Sequence, residues 1–496
     1  MSFSNILTVA ISTIGQIQNQ VRLDWLGNII KALIEGCGSI GVGIIVFTLI
    51  LKLITLPLDI FSRVSTKKNS VRMEKMRPEL EKLQRQYANN SQLYQKKMQD
   101  LYKENGYSPF AACLPTLINL IFFIVVIGQF STYSNYANFG VFCDMSVAYE
   151  QALENFDEDN NTQYIIETED ENGTKTKYLD LVYFAERNEE VKNFGFDIVD
   201  SENKTNTVFT YNTITSDNLK KIYDEIKEDG LLSKYVGTNL IVEENGVYSF
   251  GETDKTPSEL AQLLCTEVVN VSGENFVKNT IKKAGRDAAA EEYRTHDLSF
   301  LWVKNIWSQD LPWEHPIKDS FEKYNFVTSS GCIASCKAQC GGESNRITTV
   351  TPDQYLELTG GLEKEKKEPN GYLILVILSI ATMLVSQIVM NKMNKSQVEL
   401  STVEGENGTS AMTQKMMTWM MPLMFGFFSF MYTASFSIYM VVSSLFGLLS
   451  TLLINFCVEK GFERQAAKEA HDLELKRTGR INEIEEDKKS KKNKNK

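Results

Sequence analysis

A run of twenty apolar residues leaves a chain few ways to fold, and this sequence has several. GSIGVGIIVFTLILKLITLPL covers 38–58, AACLPTLINLIFFIVVIGQF 111–130 and GYLILVILSIATMLVSQIVM 371–390. MMTWMMPLMFGFFSFMYT (416–433) and SFSIYMVVSSLFGLLSTLLINF (435–456) follow nearly back to back. Each is close to the ~20 residues with which a helix crosses a hydrocarbon core of ~30 Å. Lipid offers backbone N–H and C=O groups no partner, so crossing segments must be helical. The expected fold is an all-α polytopic membrane protein with five transmembrane helices.

Charge predicts which loops lie on which side. Residues 131–370 hold 43 acidic and 23 basic residues, a net of −20, while the rest of the chain nets +9. Eleven Lys and Arg fall in 59–110, and more in the tail from 457. Short Lys/Arg-rich loops stay cytoplasmic. That puts 59–110, 391–415 and 457–496 inside and 131–370 outside, with an exterior N-terminus. MSFSNILTVAISTIGQIQNQ has no charged region before its weakly apolar stretch, so it does not read as a cleavable signal. Residues 1–22 read as a short exterior lead. In 24–38, Leu26, Ile29, Ile30, Leu33 and Ile34 recur near the helical period, which suits a helix lying in the membrane interface.

The loop 59–110 reads as a helical hairpin. Met73, Met76, Leu80, Leu83 and Tyr87 step by 3, 4, 3 and 4, one apolar stripe. Ser91 is a candidate cap for the second arm, Gly106 a candidate stop, and Pro78 predicts a kink or break in the first arm. The hairpin either buries its own stripes or offers its methionines to varied apolar segments, since thioethers repack easily. Residues 145–295 are polar and acidic with short β-type runs such as TVFTY and GVYSF, which predicts an inserted exterior α+β domain. His296, His315 and His471 lie far apart, and no phosphate loop or H-E-x-x-H occurs, so neither nucleotide nor zinc chemistry is expected. Of eight cysteines, Cys37, Cys113 and Cys457 lie in or beside spans. Cys143, Cys265, Cys332, Cys336 and Cys340 fall in the exterior segment, where one or two disulfides are expected. CIASCKAQC has no histidine nearby and not the spacing of a zinc site. The terminal DKKSKKNKNK is either a solvated end or a hook for RNA or anionic lipid.

Inside the first run stands Lys52. It lies six residues, about 9 Å of helix rise, before Leu58. Its stem could snorkel part of that distance. Alternatively, Lys52 faces a watered cavity, because a charge deep in a bilayer costs about 3 kcal/mol or more and usually meets protein or water. Thr48 and Thr55 extend a polar stripe on its face, and Asn119, Gln387, Thr418, Ser443 and Ser444 are candidates to line the same space.

Several motifs together decide between these readings. TLILKLITLPL followed by a basic hairpin with MRPELEKLQ resembles the start of the YidC family of membrane protein insertases. GYSPFAACLPTLINLIFFI is similar to that family's second span, DLSFLWVKNIW to its exterior segment, and MTQKMMTWMMPLMFGFFSFMYTASFSIYMVVSSLFGLLSTLLIN to its last hairpin. The likeness covers about 24–145 and 296–460. It implies a bacterial plasma-membrane protein, N-terminus outside and C-terminus cytoplasmic, with five spans around a hydrophilic groove closed on the exterior. It implies an insertase and chaperone, not an enzyme, needing no cofactor. Lys52 would be the groove charge with Thr48 beside it, and Tyr439 would keep a substrate-contacting role. The partners implied are nascent membrane proteins, the lipid bilayer, the ribosome through the basic tail, the Sec translocon and the signal recognition particle pathway.

Three departures stand out. The family's groove charge is usually arginine, and lysine loses the planar fork. Met440 stands where an aromatic is often found. The large insert follows the second span instead of preceding the first. Two rival functions remain. A transporter or channel would show more intramembrane charges and an internal repeat, and a receptor would carry a signalling domain inside.

Overall fold

The computed structural model describes residues 8–17, 21–87, 90–107, 110–169, 175–199, 208–227, 230, 232–252, 254–319, 351–393 and 419–477. After a short strand, β1 (Thr8–Ile11), comes helix α1 (Trp25–Glu35), opened by Asp24, whose carboxylate accepts from the Gly27 amide at 2.7 Å. Ile30 and Ile34 turn into the core, whereas Trp25 is 74% exposed and Ile29 also points out. The interfacial stripe expected here is therefore divided between protein and surroundings.

Helix α2 (Ile40–Gln86) fuses the first span to the first hairpin arm, about 70 Å of unbroken helix. Its residues 40–69 are long and apolar enough to cross a membrane. The break expected at Pro78 does not form. A mid-helix proline costs about 3 kcal/mol. Burial of Met76 (1% exposed) and Leu80 (2%) offsets that, at roughly 1.5–3 kcal/mol for each such side chain. They pack with Leu101 of α3 (Ser91–Glu104), and Leu83, Met98 and Tyr102 close around them. Asn90, not Ser91, caps α3 by accepting from the Leu93 amide, and Gly106 ends it at φ +61°.

Helix α4 (Phe110–Glu154) carries the second apolar run and continues about 36 Å beyond residue 130. Tyr133, Phe139, Phe142, Tyr149 and Leu153 are buried along this extension. Lys31 of α1 donates to the Tyr136 hydroxyl at 2.7 Å and lies over its ring, and this hydrogen bond raises the lysine's pKa.

Between the spans lie α5 (Phe156–Asn160), β2 (Ile165–Glu169), β3 (Lys175–Asp180), α6 (Leu181–Arg187), α7 (Glu189–Asn193), β4 (Asp197–Val199), β5 (Val208–Thr210), α8 (Ser216–Lys227), β6 (Ile241–Glu244), β7 (Val247–Phe250), α9 (Pro257–Phe276) and α10 (Lys282–Thr295). The runs TVFTY and GVYSF carry β5 and β7. β6 and β7 form a tight hairpin through Asn245 and Gly246, both at positive φ, the pair such a turn favours.

The N-terminal residues are not a free lead. β1 pairs antiparallel with β3, Val9 opposite Leu179, and completes a sheet of order β1-β3-β2. Behind β1, the Ile14 and Gly15 amides donate to Glu150 and the Ile17 amide to Ser146. Pairing across 170 residues leaves no local signal in the sequence.

Helices α4 and α10 pack closely as a stem for this region. A β-carbon on Gly285 would lie 2.7 Å from the Tyr149 ring, so only glycine permits this approach. Tyr149 and Arg286 both reach Glu357 of α11 (Pro352–Leu358), at 3.0 and 2.9 Å. Burial and that carboxylate raise the Tyr149 pKa. Cys143 and Cys265 are free thiols, so the disulfides expected there do not involve them. Cys332, Cys336 and Cys340 lie outside the described residues. The remaining helices are α12 (Ile374–Met393), α13 (Met421–Met431) and α14 (Ala434–Arg477), the last continuing the fifth span into the tail.

Candidate functional site

Four helices, α2, α12, α13 and α14, line a half-open cavity of about 250 Å³. That is space for on the order of eight waters at liquid density. Lys52 of α2, Gln387 of α12 and Ser443 of α14 all line it. Three polar residues chosen from separate apolar runs thus meet at one place. Met383 and Met390 add flexible apolar wall from α12, and Pro422 and Phe425 from α13.

Other polar lining residues escaped the sequence reading. Asp59 stands seven residues after Lys52, two turns along the same face of α2. Ser386, Ser450 and Thr451 also border the space, beside Ser444, which the sequence offers as a candidate. Ser444 bonds Thr382 across the α12–α14 contact at 2.9 Å and its own helix at Met440 O, while Thr451 donates to Gly447 O. A hydroxyl that donates back to its helix still has lone pairs to offer. A single serine in an apolar helix is unremarkable; packing alone makes it a lining residue.

The other expected groove residues sit elsewhere. Thr48 and Thr55 are buried, their hydroxyls donating to the Ile44 and Lys52 carbonyls. They brace Lys52's turn of helix and are not among the cavity's lining residues. Tyr439 belongs to an aromatic layer on the insert side, in which Phe47, Phe130, Tyr439 and Phe436 follow one another at centroid distances of 6.1–6.4 Å. Met440 is buried too. Thr418 and the side chains of Asn119 and Met73 lie outside the described residues. Met76, Leu80 and Leu83 belong to the hairpin's own small core.

Beyond the aromatic layer, residues 298–319 form a polar knot that ties the spans together. Asp310 is buried, its carboxylate accepting from Trp302 Nε1 and from the Tyr372 and Leu375 amides at 2.7–3.2 Å. It thereby satisfies donors left open at the start of α12. Asn305 and Asn370 exchange hydrogen bonds, the Asn305 amide donating at 2.7 Å to the side chain that donates back to its carbonyl. The Ala434 and Ser435 amides, opening α14, donate to Ser308 and Ile306 carbonyls. Phe300 fits over Gly41 so closely that a β-carbon there would lie 2.0 Å from the ring. The segment DLSFLWVKNIW thus docks on the starts of α2, α12 and α14.

The sequence model of the 60Kd inner membrane protein family matches residues 32–164 and 288–460, more than half of the chain and all four cavity helices across the residues that line the cavity. The chain belongs to the 60Kd inner membrane protein family. As a member of this family with several apolar helices, it is a mostly helical membrane protein carrying small sheets. It is similar to proteins named membrane protein insertase YidC. That of Clostridium tetani is 46% identical over 80 residues, 16% of this chain and 34% of the relative. That of Fusobacterium nucleatum is 37% identical over 91 residues, covering 18% and 42%. That of Ruegeria is 39% identical over 121 residues, covering 24% and 19%. The chain thus spans less than half the length of each of these curated relatives. No solved structure matches it. The internal unmatched stretch of this family member, 165–287, holds β2 to β7, α6 to α9 and the start of α10. Among the described residues no three His, Cys, Asp or Glu side chains gather as a metal site.

Proposed function

We propose that this chain is a membrane protein insertase and chaperone that admits the short hydrophilic part of a client into the Lys52 cavity while the client's apolar segment moves into lipid along the protein. The observation that carries the reading is the meeting of Lys52, Gln387 and Ser443 in one polar cavity among four helices. The relatives' name agrees with it. A polar recess with its own water shortens the apolar distance that a client's polar residues must cross, which lowers the barrier without nucleotide hydrolysis. The lysine ammonium attracts client carboxylates as a point charge.

In this reading five spans surround the groove, the second being the apolar start of α4. The N-terminus and insert lie outside, and hairpin and tail lie in the cytoplasm of a bacterial cell. The aromatic layer and the polar knot close the exterior end. The hairpin receives clients or targeting factors by opening its Met76–Leu80 core. The basic tail touches the ribosome, and the Sec translocon and signal recognition particle pathway are the upstream partners.

The test is depletion with rescue. Cells depleted of the protein receive the wild type, Lys52→Ala or Lys52→Arg, and insertion of a single-span client with a short acidic exterior tail is followed. Arg restores insertion and Ala lowers it about tenfold, the loss expected when an attraction of about 1.4 kcal/mol disappears. Full insertion with Ala would return Lys52 to snorkelling.

A further inference from the structure

The polar knot buries Asn305, Ser308 and Asp310 yet leaves a leucine and a tryptophan outside. Between residues 300 and 318 the exposed ones are Leu301, Lys304, Pro312 and Trp313. No carboxylate is among them, although the surrounding segment is acidic. Leu301 is 71% exposed and stands at φ +57°, where leucine rarely goes. Reciprocal hydrogen bonds between the Phe300 and Val303 backbones, at 2.9 and 3.0 Å, hold this turn. A turn tip in water favours Gly or Asn at such an angle. The patch lies at one end of the apolar helices. Phe300 covers Gly41 at the start of α2, exposed Tyr372 stands two residues before α12, and Trp313 meets Phe430 near the end of α13 at 6.2 Å.

We propose that Leu301, Trp313 and Tyr372 form an interfacial anchor that sinks into the headgroup–acyl boundary of the leaflet on the insert side, with Lys304 among the phosphates. Trp and Tyr gather at that boundary because an apolar ring carries a polar N–H or O–H. Lysine keeps its stem in apolar surroundings while its ammonium reaches anionic headgroups. Lipid is the occupant because the patch continues the apolar surfaces of α2, α12 and α13 and exposes no acid to repel those headgroups. The inference goes beyond the insertion reading and does not rest on it. It also fixes a depth. Lys52 follows Gly41 by eleven residues, about 16 Å of helix and roughly half of a ~30 Å hydrocarbon core. The anchor therefore holds Lys52 near the bilayer midplane.

The test places the full chain in vesicles of phosphatidylcholine and phosphatidylglycerol. Leu301→Cys and Val247→Cys are each coupled to a dye whose emission reports polarity, and dye-treated wild type supplies the blank for the native cysteines. Val247, 58% exposed on β7, is the reference site away from the anchor. Nitroxide lipids then quench the dye from the headgroup or from mid-chain. The dye at 301 emits as in an apolar medium, and the headgroup nitroxide quenches it at least about twice as strongly as it quenches the dye at 247. Mid-chain nitroxide quenches it less. Water-like emission at 301, or headgroup quenching no greater than at 247, overturns the anchor. Apolar emission that neither nitroxide quenches overturns it too, since protein such as a second copy would then cover the turn. Stronger quenching from mid-chain would put the turn below the boundary and equally contradict the proposal.

Discussion

At the stem, Arg286 meets Glu357 at 2.9 Å, Arg294 meets Glu365 at 2.8 Å, and the Tyr149 hydroxyl closes on the same Glu357. In the cavity, Lys52 and Asp59 share a space of about 250 Å³ with Gln387, serines and a threonine. In the stem, charge is locked into short bonds at the edge of a core that holds Tyr149, Phe142 and Tyr355. In the cavity, Lys52 borders a polar space lined by an amide and hydroxyls. Charges fixed by close partners hold elements together, whereas charges facing open polar space remain available to something that arrives. The family match embraces the cavity, α4 and α10 from residue 288 onward but skips the insert, so stem and insert answer different questions: the first supports the spans, the second is an addition.

The largest effect expected from this contrast is chemical. The Cys143 thiol, half-buried in the stem and near Asp144, has its pKa pushed up by that burial to about 12. Its thiolate at pH 8 is therefore about a thousandfold scarcer than that of an ordinary cysteine. Alkylation of Cys143 should be negligible at pH 8 and rise about tenfold per pH unit, whereas Ser443→Cys in the cavity should react readily. Mass spectrometry of the two sites compares them directly, and a Cys143 as reactive at pH 8 as the cavity cysteine would erase the distinction.

Next comes the polar knot. Asp310→Ala strips two hydrogen bonds from the start of α12 and one from Trp302 and leaves buried donors open, a cost on the order of 3 kcal/mol. Thermal unfolding in detergent should show a marked loss of stability, and Asp310→Asn a smaller one. Gly285→Leu forces a side chain against Tyr149 at the stem and should cost about 1–3 kcal/mol, read as a lower midpoint in the same experiment. Smallest is the effect of replacing 165–276 by a Gly/Ser linker between α5 and α10, which leaves Gly285 and Arg286 in place. Client insertion should change less than about twofold, since loops on a rigid scaffold tolerate large changes. Complete loss of insertion in a stably expressed deletion would make the insert part of the machinery.

Much of the membrane part was legible because lipid enforces a simple code. Apolar runs gave the helices, and polar intruders at 52, 387 and 443 marked the cavity. Asp59 was not legible, because it stands just past Leu58, where a charge at the end of a span is ordinary. Thr48 and Thr55 share Lys52's stripe, yet their hydroxyls satisfy their own helix and the packing covers them. The strand at Thr8–Ile11 pairs with a partner far along the chain, and Asp310 is one acid among many in an acidic segment. Both are decided by long-range docking, which periodicity does not encode.

The account stands on a wet cavity at Lys52, and its water can be measured. In lipid vesicles, Lys52→Cys and Leu53→Cys are treated with a polar maleimide and labelling is counted above the wild-type background. Leu53 is 57% exposed and is not among the cavity's lining residues, so in the proposed topology it faces lipid. The account predicts strong labelling at 52 and little at 53. Equal labelling, or more at 53, would contradict it.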